Sequence, residues 1–495
     1  MAFPEYDRFD GLGLAEQIAR REVSAAEVLE EALARTSRLN PRINAVVLTW
    51  PDVARQRARE TLPAGPFRGV PFLLKDLHAS YPGFPTTAGS RLFRHRIPAQ
   101  RSVLVRRFED AGLVLFGKTN TPELGLLPVT EPELFGVTRN PWRLDVTAGG
   151  SSGGAAAAVA AGLVPMAHGS DGGGSIRIPA SCCGVFGFKP SRGWVPVGPD
   201  QSEIFFGFAT EGVLTRSVRD CAAILDAVAG ADEASLLPPR PDPSLSARLG
   251  EAPGPLRVAL CREPLLPGDL HPDVVAAVDD TAALLAHLGH HVEEARPRFD
   301  GRAFARGFLV QWASNLAGQL AEARTPLGRP VRQDDVEERT WLLGLMGRST
   351  PAAELVLERS RLLAAARDIV RFFRDYDVLL TPTLGSPPIP HGALDATGTA
   401  ATLQNVLARL GRPGLTRLPG LIDRLASRAY AFAPFTAVFN ITGQPSASVP
   451  LSWNADGLPI GTLLTGRVGD DELVLRLAAQ LESARPWFDR RPPHG

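Results

Sequence analysis

The chain has 495 residues, and its 53 basic and 53 acidic side chains give a formal net charge of zero at pH 7. This balance leaves no excess positive charge for a phosphate backbone or an anionic membrane surface, so it argues against nucleic acid as the main partner. Apolar residues make up 44% of the chain and charged residues 21%, which excludes intrinsic disorder and predicts a sizeable core. No apolar run reaches the roughly 18 residues of a membrane span, and the first residues lack the pattern of a secretory signal.

The cysteine content favours a reducing compartment. Cys182, Cys183, Cys221 and Cys261 are too few and too irregularly spaced for a disulfide framework or a zinc site. Together with the missing membrane and signal patterns, this predicts a cytoplasmic protein without membrane association.

Lysine is unusually scarce in this sequence. It occurs only at Lys75, Lys118 and Lys189, so 50 of the 53 basic residues are arginine. Because arginine cannot lose its proton at any usable pH, the retention of lysine at three positions indicates that at least one of them acts as a base. The alternative is a GC-rich genome in which three lysines survive without consequence, and composition alone does not decide between the two.

The first predicted element is a helix near the start of the chain. Ser24 and Glu27 form a capping box ahead of an amphipathic stretch that runs to about Arg38, and the helix is predicted to end before Asn40 and Pro41. Short apolar runs bounded by Gly or Pro follow, and they predict strands buried on both faces at residues 69–74, 113–116, 163–166 and 185–188.

A proline-rich stretch at 236–255 predicts an exposed connection, after which strands and helices alternate again. The pattern predicts a strand at 256–260, a helix at 273–288, a strand at 377–380 closed by Thr381 and Pro382, and a segment at 391–433 that covers a pocket. The fold class is therefore α/β, with a central mixed sheet covered by helices on both faces, in one large domain.

The most unusual feature of the sequence is a pair of glycine-rich turns between residues 147 and 179. The first, at 149–154, precedes an alanine stretch that is apolar all round and therefore predicts a buried helix. A P-loop would continue with Lys-Ser or Lys-Thr, but Ala155 and Ala156 follow here. A nucleotide-binding protein that uses these loops is kept as an alternative of another class.

The two turns are 24 residues apart and predict that Ser151 and Ser175 face one point. Gly172, Gly173 and Gly174 would let backbone N–H groups converge on a developing oxyanion without interference from side chains. Serine is a weak nucleophile by itself and needs a base.

Two residues are candidates for that base. His168 lies inside an apolar run typical of a strand, where a core histidine with its hydrogen bonds satisfied is the simpler interpretation. Lys75 ends a buried strand, and loss of hydration lowers the pKa of a lysine towards neutrality. The sequence therefore favours Lys75.

These motifs closely resemble the amidase signature family of serine hydrolases. The resemblance covers nearly the whole chain, and as a combination its motifs are highly specific. They are GVPFLLKD ending at Asp76, GGSSGG at 149–154, DGGGSIRIPA at 171–180 followed by Cys182, Gly184, Gly187 and Lys189-Pro190, the GKTN at 117–120, Phe439-Asn440, and the GQP at 443–445.

The resemblance implies a Ser–cis-Ser–Lys triad made of Ser175, Ser151 and Lys75, with no metal and no cofactor. It also implies an oxyanion hole from the N–H groups of residues 172–175. Lys118 and Lys189 lie in family motifs outside the triad, which favours structural roles. The single domain then divides into an N-terminal helical segment at 1–65, a signature core at 66–235, the connection at 236–255, and the remaining sheet, helices and loops at 256–495.

Two further side chains have predicted structural roles. Arg177 can bind a carboxylate such as Asp171 through two parallel hydrogen bonds, which would hold the loop that carries Ser175, called the nucleophile loop below. Cys182 and Cys183 are interpreted as small buried hydrophobic residues.

Within the family, four stretches are most similar to the 6-aminohexanoate cyclic-dimer hydrolases, which open nylon-oligomer amides. These stretches are 130–136, 138–142, 165–169 and 328–337. The candidates for substrate binding are Leu126, Trp312, Phe439 and Ile441. Leu126 replaces a polar residue of that pattern, and Trp312 replaces a small one, which predicts a narrower pocket or a flat stacking surface.

The predicted function is hydrolysis of small linear or cyclic amides, with nylon oligomers, aryl amides and carbamates as candidate substrates. The expected partner is a small-molecule amide, and a homodimer is left open. An amidotransferase subunit that delivers ammonia to a charged tRNA is a second alternative, although the neutral charge argues against it.

Overall fold

Strands of the computed structural model form one large mixed sheet and one small hairpin; the structure describes residues 3–230, 232, 244–417 and 420–495. The strands in these residues are β1 Val46–Thr49, β2 Pro71–Lys75, β3 Val114–Thr119, β4 Arg139–Asn140, β5 Arg143–Thr147, β6 Met166–Asp171, β7 Phe186–Lys189, β8 Thr210–Thr215, β9 Arg257–Leu260, β10 His291–Glu294, β11 Val378–Pro382, β12 Ser446–Trp453 and β13 Pro459–Thr465.

Helices connect most of these strands. They are α1 Gly11–Ala19, α2 Ala25–Ile43, α3 Pro51–Arg59, α4 Val103–Asp110, α5 Gly153–Ala160, α6 Arg177–Cys183, α7 Val218–Val228, α8 Pro272–His287, α9 Gly301–Glu322, α10 Arg324–Leu327, α11 Glu338–Ser349, α12 Ala352–Phe372, α13 Gly398–Leu410, α14 Leu421–Ala429, α15 Val438–Thr442 and α16 Asp471–Ala484. Short 3-10 helices lie at Pro4–Arg8, Arg91–Phe93, Glu123–Gly125, Gln333–Asp335 and Pro413–Arg417.

The large sheet has 11 strands in the order β1-β3-β2-β6-β8-β7-β12-β13-β11-β9-β10. Strands β3, β2 and β6 run parallel to one another, as do β11, β9 and β10. The strands from β6 to β11 run antiparallel to their neighbours, and so does β1 to β3. The predicted mixed sheet is confirmed.

Helices cover both faces of the sheet around its centre. Every residue of β2, β3, β6, β7, β8, β11 and β13 is buried, and since successive side chains point to opposite faces, both faces must be covered. All residues of the alanine-rich α5 are buried as well, as the sequence predicts. The predicted α/β fold class is therefore confirmed.

Several boundaries differ from the prediction. Helix α2 has the predicted capping box but continues through Pro41 to Ile43, so the predicted end before Asn40 is wrong. The Asn40 side chain accepts the N–H groups of Ala45 and Val46 at 2.8 Å each, which joins the last turn directly to β1. The strand predicted at 163–166 begins only at Met166, and β11 continues through Thr381 and Pro382.

The later segments have mixed outcomes. Residues 236–243 of the predicted connection at 236–255 lie outside the described residues, and its part at 244–255 contains neither helix nor strand. In the segment predicted as a cover, α14 packs against α9 and α13 against α11. None of the helices formed by the described residues is both long enough and apolar enough to span a bilayer.

Candidate active site

Lys75 is the last residue of β2 and is completely buried. Its Nζ donates hydrogen bonds to Ser151 Oγ at 2.7 Å and to Ser170 Oγ at 3.0 Å. Burial lowers the pKa of the Lys75 amine from 10.5 to about 7, although the negative charges of Glu211 and Asp171 act in the opposite direction. A large fraction of this amine is therefore neutral near pH 7 and can accept a proton.

The two predicted serines lie on turns that are hydrogen-bonded to each other, and Ser151 is the one that contacts this lysine. The exposed fraction is 8% for Ser175, 2% for Ser151 and zero for Lys75, so accessibility to solvent decreases in that order. The N–H of Ser152 donates to the Ser175 carbonyl at 3.1 Å, which joins the two glycine-rich turns. The peptide bond between Gly150 and Ser151 is cis.

Asp171 organises the loop that carries Ser175. Both of its oxygens accept hydrogen bonds from Arg177, each 2.8 Å long, and they also accept the N–H groups of Gly174 at 2.7 Å and Ile176 at 3.2 Å. Burial raises the pKa of Asp171, but the Arg177 guanidinium outweighs this and holds the pKa well below its usual range. The predicted pairing of Arg177 with Asp171 is confirmed.

The N–H groups predicted to bind the oxyanion are not equivalent. Because Asp171 already accepts the N–H of Gly174, this group is not available to an oxyanion, and the prediction for Gly174 needs correction. Within the described part of the chain, the N–H groups of Gly172, Gly173 and Ser175 make no hydrogen bond. These three N–H groups are the available donors of the turn.

Gly174 has a different function in this loop, because its backbone approaches another segment closely. Its φ is +128°, and a Cβ atom there would lie 2.2 Å from Thr436 Oγ1. Thr436 Oγ1 donates to the Gly173 carbonyl at 2.7 Å, and Arg177 donates to Thr436 O at 2.9 Å and to Asn440 Oδ1 at 2.7 Å. The Ser175 loop is thus fastened to the turn before α15. Sequence reasoning noted Asn440 only as part of a motif and missed Thr436.

The other two lysines lie away from the serines. Lys118 Nζ donates to Thr86 Oγ1 at 2.5 Å and lies 3.6 Å from the Asp76 carboxylate. Lys189 Nζ donates to the Pro190 carbonyl at 2.9 Å. Both are buried, and burial lowers the pKa of Lys118 to about 8 and that of Lys189 to about 7. A lowered pKa alone therefore does not distinguish Lys75; its contact with Ser151 does.

His168 has both ring nitrogens engaged, as expected for a core histidine. Its Nδ1 accepts the backbone N–H of Lys75 at 3.1 Å, and its Nε2 lies 2.8 Å from Glu211 Oε2. The other oxygen of Glu211 lies 3.1 Å from His78 Nδ1. Sequence reasoning missed Glu211 and Ser170, because neither belongs to a motif and only the pairing of β6 with β8 brings Glu211 beside His168.

Aromatic rings contact the nucleophile loop on one side. A Cβ atom placed on Gly172 or Gly173 would lie 3.7 Å from the ring of Trp312. The half-buried Trp312 ring stacks on Phe308 at 5.4 Å between centroids, and Phe205 meets Trp312 edge-on at 4.7 Å. These three rings are called the aromatic wall below. Trp312 was predicted, whereas Phe205 and Phe308 carry no sequence signal that separates them from core residues.

The remaining pocket candidates occupy different surroundings. Leu126 is half-buried and follows Gly125, whose backbone lies beside Ser151 Oγ. Phe439 and Ile441 are buried in the hydrophobic core, with exposed fractions of 0% and 1%. The structure thus places Trp312 against the turn that precedes Ser175, and Leu126 next to the glycine that lies beside Ser151, whereas Phe439 and Ile441 are enclosed in the core.

Metal-ligating side chains do not cluster in the described ranges 3–230, 232, 244–417 and 420–495, where no group of three or more His, Cys, Asp or Glu residues could hold an ion. Cys182, Cys183, Cys221 and Cys261 are free and buried.

Comparison with known proteins gives a consistent result. A model of the Amidase family matches residues 27–413. The 6-aminohexanoate-cyclic-dimer hydrolase of Pseudomonas sp. strain NK87 is 38% identical over 500 residues, covering 98% of this chain and 96% of that protein. The solved structure of 6-aminohexanoate cyclic dimer hydrolase complexed with substrate has a TM-score of 0.87 at 36% identity and covers 99% of both chains. A bacterial aryl acylamidase of the amidase signature family has a TM-score of 0.82 at 28% identity, covering 97% of this chain and 96% of that chain.

The two alternatives kept from the sequence, a tRNA-dependent amidotransferase subunit and a nucleotide-binding protein, are not favoured by relatives that are amide hydrolases over nearly their whole length. The chain belongs to the amidase signature family and is an enzyme that hydrolyses amide carbon–nitrogen bonds.

Proposed function

We propose that the enzyme cleaves amides through an acyl-enzyme on Ser175, with Ser151 and Lys75 as the proton relay. The observation that carries this proposal is the contact of 2.7 Å between the buried Lys75 amine and Ser151 Oγ. A lysine with a pKa of about 7 is a competent base near neutral pH, which an arginine in its place would not be.

The first step moves two protons towards the interior. Neutral Lys75 accepts the hydroxyl proton of Ser151, and Ser151 Oγ takes the hydroxyl proton of Ser175. Ser175 Oγ then forms a bond to the carbonyl carbon of the amide, and the carbonyl oxygen takes the negative charge. Ser170 Oγ remains a hydrogen-bond acceptor for the Lys75 amine, so the lysine keeps its orientation during the transfer.

The oxyanion binds to the N–H groups of Gly172, Gly173 and Ser175. Loss of one preorganised donor from an oxyanion hole typically costs roughly 3–4 kcal/mol of transition-state stabilisation. Asp171 and Arg177 hold the loop in this conformation before the substrate arrives, through bonds of 2.8 Å.

The relay then runs in reverse. The ammonium of Lys75 returns a proton through Ser151 to the nitrogen of the leaving amine, and the carbon–nitrogen bond breaks to leave an ester on Ser175. Water attacks this ester while the same relay takes its proton, and release of the acid restores the free hydroxyl.

The substrate is a small linear or cyclic amide with a flat or apolar group beside the scissile bond. The aromatic wall supports this proposal, because the Trp312 ring lies directly against Gly172 and Gly173, where the carbonyl would bind. Aryl amides, nylon oligomers and carbamates all contain a group of this kind. Leu126 is proposed as an apolar contact on the loop beside Ser151, whereas Phe439 and Ile441 are proposed to support the pocket from the core.

The protein is further proposed to be one amidase domain that works in the cytoplasm. Four free cysteines support a reducing compartment, and fractionation of cells would test this location.

A homodimer through α12 is also proposed, since Val356, Leu363 and Val370 are exposed at the seven-residue spacing of paired helices. Light scattering on Leu363→Glu, which should convert a dimer to a monomer, would test it.

The catalytic assignment is tested with a fluorophosphonate probe followed by mass spectrometry of the peptides. Labelling at Ser175 alone, and its loss in Ser175→Ala, is expected, with hydrolysis of an aryl amide lost in the same variant. Labelling at Ser151, or an active Ser175→Ala enzyme, would contradict the proposed mechanism.

A further inference from the structure

Three side chains form a hydrogen-bonded chain behind Lys75, and the proposed mechanism uses none of them. His168 on β6 accepts the Lys75 backbone N–H, Glu211 on β8 binds His168, and His78 on the loop after β2 binds Glu211. Their hydrogen bonds involve neither Ser151 nor Ser175. His168 and Glu211 are buried, whereas His78 is partly exposed, so the chain leads from the base towards the surface.

The hydrogen bonds determine the tautomer of His168. Because Nδ1 accepts the Lys75 N–H, it carries no proton, and the proton of the neutral ring is on Nε2. Nε2–H then donates to Glu211 Oε2 at 2.8 Å. Glu211 therefore fixes the orientation of the ring that holds the backbone of Lys75.

Glu211 is ionised in this environment. Burial raises its pKa, but hydrogen bonds from His168 and His78 outweigh burial and lower the pKa to about 2. In the part of the chain that the structure describes, its ion-pair partners are these two imidazoles, without any arginine or lysine.

The other charged groups around Lys75 are already paired. Asp171, which follows Ser170 on β6, is bound by both arms of Arg177. Lys118 on the neighbouring strand β3 pairs with Asp76 on the loop after β2. Among the described residues, Glu211 is thus a carboxylate near Lys75 that forms no ion pair with a guanidinium or an ammonium group.

We propose that Glu211 is a positioning residue for the base Lys75: through His168 it holds the lysine backbone, and its charge keeps the amine basic. The inference rests on the proposed function, in which Lys75 is the base. Burial alone would make the amine a poor proton acceptor, whereas a nearby negative charge favours the ammonium. The opposing effects keep the lysine close to the working pH, where general-base catalysis is most effective.

The scarcity of lysine allows a direct test. Protein labelled with carbon-13 at the lysine ε position should give only three signals, from Lys75, Lys118 and Lys189, and each is assigned by its loss in the corresponding Lys→Arg variant. In Glu211→Gln, which keeps the size and an acceptor for His168, the Lys75 titration midpoint should fall by roughly half a pH unit or more. The Lys118 midpoint should stay unchanged.

A matched control variant is expected to change the titration of Lys118 and not that of Lys75. Asp76→Asn removes the carboxylate 3.6 Å from Lys118, so it should lower the Lys118 midpoint and leave that of Lys75. A Lys75 midpoint that does not move in folded Glu211→Gln would overturn the inference. If Glu211→Gln does not fold, Glu211→Asp provides the test. This variant keeps the negative charge but has a shorter side chain that reaches His168 less well, so the Lys75 midpoint should be kept while kcat falls. An unchanged kcat in Glu211→Asp would overturn the positioning role.

Activity measurements distinguish a failure of this inference from a failure of the proposed function. The acid limb of kcat/KM in Glu211→Gln should move down in pH by the same amount as the Lys75 signal. If the signal moves and the limb does not, the influence of Glu211 on Lys75 is supported, but Lys75 is not the base. If Lys75→Ala remains active, the proposed mechanism fails regardless of the lysine signals.

Discussion

Asp171 and Arg177 form two parallel hydrogen bonds of 2.8 Å, and both side chains are completely buried. The same carboxylate accepts the N–H groups of Gly174 and Ile176, on either side of Ser175. Its hydrogen bonds therefore hold the nucleophile loop in place, while the N–H of Ser175 itself has no hydrogen-bond partner among the residues that the structure describes. The ion pair therefore stabilises the loop conformation in which the proposed oxyanion hole forms.

Removal of Arg177 should cost both stability and activity. Arg177→Met leaves the charge of Asp171 buried without its partner, and breaking a buried pair in this way costs about 3–5 kcal/mol. Urea unfolding measures this cost, with Arg57→Met as the control, because the pair of Arg57 with Glu60 is exposed and should contribute about 0–1 kcal/mol. Equal costs for the two variants would show that the buried pair does not stabilise the loop.

Ser175→Ala should abolish turnover and leave the fold intact. The substitution removes one hydroxyl with little buried area, so the melting temperature should stay within about 2 °C. Loss of the nucleophile should lower kcat by roughly a thousandfold or more on an aryl amide. Considerable residual activity at an unchanged melting temperature would indicate Ser151 as the nucleophile or a different mechanism.

Much of the fold could be predicted because strands buried on both faces leave a clear pattern. The runs that became β2, β3 and β7 are largely apolar and adjoin Gly or Pro, and their positions are correct to within about three residues. The end of α2 could not be predicted, because Pro41 occupies its last turn and the Asn40 side chain binds the following strand. Such a contact depends on tertiary structure and leaves no local pattern.

The residues of the candidate site that lie in sequence motifs could be predicted. Those that only strand pairing brings together could not. Lys75, Ser151 and Ser175 lie in glycine-rich or lysine-containing motifs. Glu211 is far from them in the sequence and lies beside His168 only through the antiparallel pairing of β6 with β8. The engagement of the Gly174 N–H by Asp171 is likewise a matter of geometry, which a run of three glycines does not reveal.

Glu337 should make stability fall as the pH rises from its ordinary pKa of 4.5 towards about 7. Burial raises the pKa of this carboxyl from 4.5 to about 7, while Glu337 Oε1 accepts the N–H of Glu133 at 2.8 Å. A carboxyl with a raised pKa in the folded state stabilises the fold below its ordinary pKa, and this stability is lost as the pH rises through about 7.

Glu337→Gln keeps the acceptor and cannot ionise, so it should be more stable than the unchanged protein at pH 8.5 by about 1–3 kcal/mol. Urea unfolding at pH 4 and at pH 8.5 measures the difference, which should nearly vanish at the lower pH. A difference that is the same at both pH values would show that the Glu337 carboxylate is not responsible.

Trp312 should influence which amides are cleaved. If its ring lines the substrate pocket, Trp312→Ala should change the ratio of kcat/KM between slim and bulky amides by the ~1–3 kcal/mol of a hydrophobic pocket contact. Trp453→Ala is the matched control, since Trp453 is also half-buried but packs on Trp142. Equal changes for all substrates would mean that Trp312 only packs against the loop.

The pH dependence of activity should report the titration of Lys75. Because the amine must be neutral to accept a proton, kcat/KM should rise with pH along a limb near pH 7 and reach a plateau on the alkaline side. Lys75→Arg keeps the positive charge but cannot lose its proton, so it should be nearly as inactive as Lys75→Ala. Lys118→Arg is the control, since arginine can still pair with Asp76 and the Ser151 contact is untouched.

Measurement on two substrates distinguishes a proton relay from a purely electrostatic role. An amide needs a proton delivered to its leaving amine, whereas an activated ester does not, so Lys75→Arg should lose more activity on the amide than on the ester. If Lys75 only held a carboxylate by its charge, arginine would serve in its place, and the 50 arginines of this chain show that it accepts arginine readily. A Lys75→Arg enzyme that remains active on amides would therefore disprove the assignment of Lys75 as the general base.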